Sequence, residues 1–207
     1  VLQIDESNLA KFIGSVCEHY NLNHFHNFKH AVNVLHMTYK LLNDTGLLFK
    51  LKPVIAFAIL IAAISHDIDH PGNTNSYEVN SLSEYAILYN DFSVLENYHC
   101  SLTFKLLSNT NLIHYFKGSE FREFRKTIIM SILGTDMAKH NDSINKFKNI
   151  DFTSETFTVD QQYLITSSIL HFSDLSNSIK SFEISFEWSQ RISLEFYQQT
   201  LKEELEG

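Results

Sequence analysis

The run His66-Asp67-Ile68-Asp69-His70-Pro71-Gly72 places four ionisable side chains within five residues and closes on two helix breakers. It follows the stretch 54–64, which is apolar on every helical face and must therefore be buried. Ionisable groups at the end of such a segment are costly unless they are paired or bound to a cation. Imidazole nitrogen and carboxylate oxygen within one turn make a ready ligand set for a divalent metal. The competing reading is an exposed helix end whose histidines favour the dipole, although aspartates at that end oppose it. Two other segments supply matching chemistry. Phe25-His26-Asn27-Phe28-Lys29-His30 spaces two histidines four apart, which on a helix puts them on one face. His171-Phe172-Ser173-Asp174-Leu175-Ser176-Asn177 carries an aspartate inside an otherwise apolar helical window. Taken singly, a histidine pair is usually incidental and an inward aspartate usually a cap. Jointly, a histidine, a His-Asp pair and a late aspartate on three helices give four ligands with mixed N and O donors.

Helices are what must position these residues. Six Gly and two Pro in 207 residues leave few breakers. The three-and-four spacing of Leu9, Phe12, Ile13 and Val16 predicts one helix, and that of Ala31, Val34, Leu35, Thr38, Leu41 and Leu42 another. Pro53 suits the first turn of a central, buried helix through Ser65. Further helices are predicted behind Asp91, over 119–139, over 158–169 from a Thr158 or Asp160 cap, and over 182–205. The polar stretch 141–156 reads as a long surface connection. No repeat, linker or period-two alternation interrupts this pattern, so the expectation is one all-α domain over 1–207.

Composition narrows the function. Sixteen basic against 24 acidic residues give a net charge of −8, which disfavours binding to phosphate backbones or anionic lipid. No apolar stretch approaches the roughly 20 residues that span a bilayer. Cys17 and Cys100 are too few for a disulfide framework, so a cytoplasmic setting, or the cytosolic part of an anchored protein, is expected. His19, His24, His36, His114 and His140 read as ordinary surface or hydrogen-bonded histidines, and His171 as a helix residue satisfied locally.

The order His30, His66-Asp67, Asp174 resembles the HD metal-dependent phosphohydrolase superfamily. The fuller strings resemble class I cyclic nucleotide phosphodiesterases: His-Asp-x-Asp-His-x-Gly-x-x-Asn at 66–75, Leu-Tyr-Asn-Asp-Phe-Ser-Val-Leu-Glu-Asn-Tyr-His at 88–99, Ile-Leu-Gly-Thr-Asp-Met-Ala-Lys-His at 132–140, Asp-Leu-Ser-Asn at 174–177 and Glu-Phe-Tyr-Gln at 195–198. The resemblance implies a compact multi-helix HD-type domain that hydrolyses cyclic AMP, cyclic GMP or both to the 5′ monophosphate. It implies two divalent ions: Zn²⁺ on His30, His66, Asp67 and Asp174, and Mg²⁺ or Mn²⁺ sharing Asp67 and otherwise bound by water. His70, Glu96, His99 and Thr135 match positions that orient those waters, and Asp69 one that shapes the turn. A hydroxide between the ions would attack phosphorus, with His26 as general acid toward O3′ and Glu195 its carboxylate partner. Asn177 matches a substrate-side asparagine.

The strings also depart from the family pattern. Phe25 stands for a frequent Tyr, Tyr98 for a His and Ser178 for a Pro. Beyond Glu195 the family continues for roughly a hundred residues, carrying a purine-binding glutamine, part of an aromatic clamp and a pocket loop. The expectation is therefore a domain lacking its C-terminal part, its apolar face turned to missing helices or a partner surface. Two other readings stand beside this one: another HD nucleotide phosphohydrolase, and a catalytically weak metal-binding helical module.

Overall fold

Thirteen consecutive residues with no charge and almost no polar atom can be stable in water only if other helices surround them on all sides. In the computed structural model, which describes residues 2–206, this segment is α4 (Pro53–Ser65), with Pro53 in its first turn. Ile55, Ala58, Ile59, Ala62 and Ala63 are fully buried. Around α4 stand α2 (Phe28–Asp44), α8 (Gly118–Leu133) and α10 (Val159–Asp174), and α10 also packs on both α2 and α8. Leu42, Phe124, Ile128, Ile132, Ile165 and Leu170 interlock with α4 in one continuous core. Each such side chain contributes about 1.5–3 kcal/mol by leaving water. α8 and α10 approach so closely at Gly134 that a Cβ there would lie 2.0 Å from Ser167 Oγ.

The remaining helices close the ends and sides: α1 (Glu6–His19), α3 (Leu47–Lys50), α5 (Asn75–Asn80), α6 (Glu84–Tyr89), α7 (Val94–Asn109), α9 (His140–Lys148) and α11 (Phe182–Glu206). Single 3₁₀ turns cover Leu112–Tyr115, Met137–Lys139 and Leu175–Ile179. The described residues contain no strand, and the all-α expectation holds. No helix among them is long and apolar enough to cross a membrane.

Local chemistry sets the boundaries. Asp5 caps α1 through the Ser7 amide at 2.7 Å. Thr158 and Gln161 form a reciprocal capping box at α10. Several boundaries differ from the sequence expectation. The helix expected over 119–139 stops at Leu133, and the chain turns at Gly134 before the 3₁₀ turn. The helix expected to be capped by Asp91 starts after Ser93, which adopts the left-handed region at φ 43°. The stretch 141–156, expected as a connection, holds α9, whose apolar side is only Ile144 and Phe147. The helix expected to end at Ile169 runs on to Asp174.

Of these helices, α11 is the least covered. It packs on the Leu175–Ile179 turn, while Phe182, Ile184, Phe186, Leu194, Phe196 and Tyr197 are exposed.

Candidate metal and acid–base site

Three helix ends meet above the core and deliver the chemistry. Asn27 caps α2, its Oδ1 accepting from the amides of Lys29 at 3.0 Å and His30 at 3.2 Å, which sets His30 in the first turn. His66 is the residue on which α4 ends, and Asp67 starts the turn that follows. Tyr20, the residue after α1, fastens that turn, its hydroxyl donating to Ile64 O at 3.1 Å and accepting from Asp67 N at 3.3 Å. Asp69 sits in the left-handed region at φ 58° and accepts from Asn21 at 2.9 Å and from the Tyr98 hydroxyl. Asp174 closes α10. The His-Asp run therefore lies in a turn beyond the helix rather than on its last turn. His26 is likewise outside the helix expected to hold it, because Asn27 intervenes, yet its ring is still 5.9 Å from that of His30.

The four expected ligands converge. His30 Nε2 lies 2.9 Å from Asp174 Oδ1 and 3.4 Å from Asp67 Oδ2. His66 Nε2 lies 3.0 Å from Asp67 Oδ2 and 3.4 Å from Asp174 Oδ1. Donors on one ion at ~2.0–2.1 Å stand ~2.9–3.4 Å apart in octahedral or tetrahedral arrangement, so these spacings suit a common centre. The tautomer agrees: His66 Nδ1 lies 3.0 Å from Ala63 O, which uses its N–H and turns Nε2 to the carboxylates. That Nε2 is buried and has no hydrogen bond of its own. Such an orphan is what a metal ligand looks like without its ion, and the residues fit a divalent cation. Burial opposes charge on both histidines, but Asp67 and Asp174 outweigh it and hold both above the ordinary imidazole range. Burial raises the two carboxyls in turn, and the histidines draw them well below the ordinary range.

A second set adjoins the first, with Asp67, His70 and His99 donors within 4.8 Å of one another. His99 Nδ1 donates to Ile68 O at 2.7 Å, leaving a buried Nε2 without a partner. His70 Nδ1 accepts from Gly72 N at 3.0 Å. Burial holds His99 down at about 4 and His70 well below the ordinary range, so both rings are neutral. Burial raises Glu96 to about 7 against the Asn75 amide, which bonds both of its oxygens at 2.9 and 3.1 Å.

The third set is acid–base. Glu195 of α11 is buried and accepts from the amides of Phe25 at 2.8 Å and His26 at 3.1 Å, and it pairs with His26 Nδ1. Burial raises this carboxyl, and the His26 and main-chain contacts overcome it, so Glu195 lies below its ordinary range. The His26 ring stacks on His70 at 3.9 Å, while Phe25 packs edge-on against His26 and Trp188.

A cleft of about 540 Å³ joins the sets, lined among others by His26, Asp67, His70, Glu96, Thr135, Asp174 and Glu195. His30 and His66 lie buried beneath it. Asn177 does not line it: this buried side chain accepts from Asn33 at 2.7 Å and leaves its Nδ2 unpartnered. Three contributors have no role in the sequence reading. Asn75 holds Glu96 and the start of α7, Tyr20 holds the metal turn, and buried Asp136 accepts from Ser93 at 2.6 Å. Asn75 and Asp136 lie inside the quoted strings, whereas nothing around Tyr20 signals its contact. The local reading of His171 is corrected: its partner is His140, 31 residues away.

Comparison with known proteins bears on this arrangement. The family described as 3′5′-cyclic nucleotide phosphodiesterase matches residues 25–207. The chain is 34% identical over 206 residues to the high affinity cGMP-specific 3′,5′-cyclic phosphodiesterase 9A of Drosophila melanogaster, covering 99% of this chain and 14% of that protein. It is 34% identical over 229 residues to the human high affinity cAMP-specific and IBMX-insensitive 3′,5′-cyclic phosphodiesterase 8A, covering all of this chain and 28% of that one. Among solved structures, the phosphodiesterase domain of the RhoPDE fusion protein of Salpingoeca rosetta superposes with a TM-score of 0.93 at 41% identity, over 98% of this chain and 65% of that one. The chain thus spans less than a third of these curated relatives and about two thirds of the solved domain. With the family match extending over most of its length, the chain belongs to the 3′,5′-cyclic nucleotide phosphodiesterase family.

Proposed function

We propose that this chain carries the metal and phosphate half of a hydrolase that converts a 3′,5′-cyclic nucleotide to its 5′ monophosphate. The observation that carries the reading is the convergence of His30, His66, Asp67 and Asp174 beside the His26–Glu195 pair on one cleft. His30, His66, Asp67 and Asp174 would hold Zn²⁺, and Asp67 would also serve Mg²⁺ or Mn²⁺; such ions would supply Lewis acidity toward water and phosphoryl charge. The chain's own residues do the rest. Neutral His70 and His99, with Glu96 and Thr135, offer acceptors and donors that orient water. Thr135 spends its hydroxyl proton on Ile132 O at 2.8 Å, so its lone pairs are left for that task.

The water gives up one proton to solvent as its oxygen bonds to phosphorus, the P–O3′ electron pair leaves on O3′, and O3′ takes a proton from His26, which regains one from solvent. Glu195 engages His26 Nδ1, so Nε2 is the nitrogen free to deliver that proton. On the resemblance Asn177 would act on the base side, but it is buried off the cleft, where Asn33 donates Nδ2 to it and accepts from Lys180 on Oδ1. Related proteins include both cGMP- and cAMP-specific enzymes, and the proposed substrate is a cyclic purine nucleotide. The two free thiols suit a cytosolic setting, and the apolar side chains exposed on α11 a contact face for further protein.

The test is cyclic AMP and cyclic GMP hydrolysis with Zn²⁺ and Mg²⁺ or Mn²⁺, beside bound-metal analysis. His26→Ala is expected to lower kcat by about 10²–10⁴-fold with metal retained, and Asp174→Ala to lose metal and turnover together. Bound metal with turnover only of other nucleotides would assign another phosphohydrolase. Bound metal without any turnover would leave a metal-binding module, and a folded chain that binds no metal would overturn the site.

A further inference from the structure

Two histidines outside the site form a contact that the proposed chemistry does not use. His140, the first residue of α9, places Nδ1 2.7 Å from Nε2 of His171, which is fully buried on α10 one turn before Asp174. At that separation the pair carries one shared proton, since two imidazolium rings would set donor against donor and charge against charge. His171 Nδ1 is buried and has no hydrogen-bond partner, so Nε2 makes the only hydrogen bond of this ring among the described residues. His140 ends the segment 135–140, and its contact ties that end to α10.

That segment forms one wall of the cleft, through Thr135, Asp136, Met137 and Ala138. It has little helical support of its own, being a link and a single 3₁₀ turn. On the α7 side it is tied down by Ser93, whose hydroxyl donates to Asp136 at 2.6 Å and accepts from Lys139 at 2.8 Å. On the α10 side the tie is the histidine pair.

We propose that His140 is a positioning residue that, through His171, moors the 135–140 wall of the cleft to the helix bearing Asp174. The kinetic part of this inference rests on the hydrolase reading, and the structural part does not. The test measures amide hydrogen exchange and steady-state kinetics in His140→Ala and His140→Asn, the latter keeping an amide that can donate or accept near the Nδ1 position. In His140→Ala, amides of 135–140 are expected to exchange about 3- to 10-fold faster with the other helices unchanged. KM for the cyclic nucleotide should rise by a similar factor with kcat within about twofold, and His140→Asn should restore both. Unchanged exchange in the segment, unchanged KM despite faster exchange, or no rescue by Asn would each overturn the mooring. A chain that turns over nothing but shows the exchange rise and its rescue would uphold the mooring and refute the hydrolase reading instead.

Discussion

Glu96 keeps its proton to a higher pH than a carboxyl in water does, and this has a thermodynamic cost. Burial raises it to about 7, helped by the charges of Asp136 and Asp67 and resisted by Asn75. Between the ordinary carboxyl range and about pH 7 the folded chain holds a proton that the unfolded chain has released. The folded state of the ion-free protein therefore loses stability as pH rises through that window and levels off above it. Glu96→Gln removes the term. Urea denaturation at pH 5 and pH 8 is expected to show the wild type losing about 1–3 kcal/mol more than the variant over that interval. Equal losses would show that Glu96 titrates normally. At this scale much of the chemistry was legible, because His30, His66, Asp67 and Asp174 announce themselves by type and order. Tyr20 and the His140–His171 pair were not legible. Their roles arise from contacts between segments 31 to 47 residues apart, which no local pattern encodes.

Helix termini, more than helix bodies, determine the site. Asn27 shows how much one terminal residue controls: its Oδ1 caps α2, while its Nδ2 donates to Asn23 O at 2.9 Å and His24 O at 3.2 Å. The loop bearing His26 and the turn bearing His30 are thus fixed by one side chain. Asn27→Ala is expected to cost about 1–2 kcal/mol in denaturant unfolding and to lower turnover, whereas Asn27→Asp should recover the helix cap but not the loop contacts. If Asp restores turnover fully, the loop contacts carry no weight. The same feature explains where sequence reading misplaced an element. Four-residue spacing put His26 and His30 on one helix, but an asparagine between them is a strong start signal. In the polar stretch 141–156, two apolar residues were too few to reveal a helix whose packing is supplied by α10. By contrast α4, whose composition admits only burial, was legible almost to the residue.

Across the whole molecule the core is closed around α4, and α11 carries a run of large exposed apolar side chains. Phe182, Phe186 and Tyr197 are each more than half exposed there. Clustered apolar surface of this kind binds hydrophobic probes and drives association. The 207-residue chain is expected to enhance the fluorescence of an anilinonaphthalene dye and to self-associate with rising concentration. Ile184→Ser with Phe186→Ser should reduce both without lowering the melting temperature by more than a few degrees. Dye binding unaffected by these changes would place the sticky surface elsewhere. The net charge of −8 adds repulsion between copies, so association should strengthen as salt screens it.

The grip of Glu195 on His26 joins positions 169 residues apart. A chain made from its N-terminus forward holds His26 early and waits for its partner until α11 is synthesised and docked. Until then the loop carrying Phe25 and His26 lacks the carboxylate that receives both of its amides. The order of that loop therefore arrives in one step, when α11 docks, and does not build up as the chain lengthens.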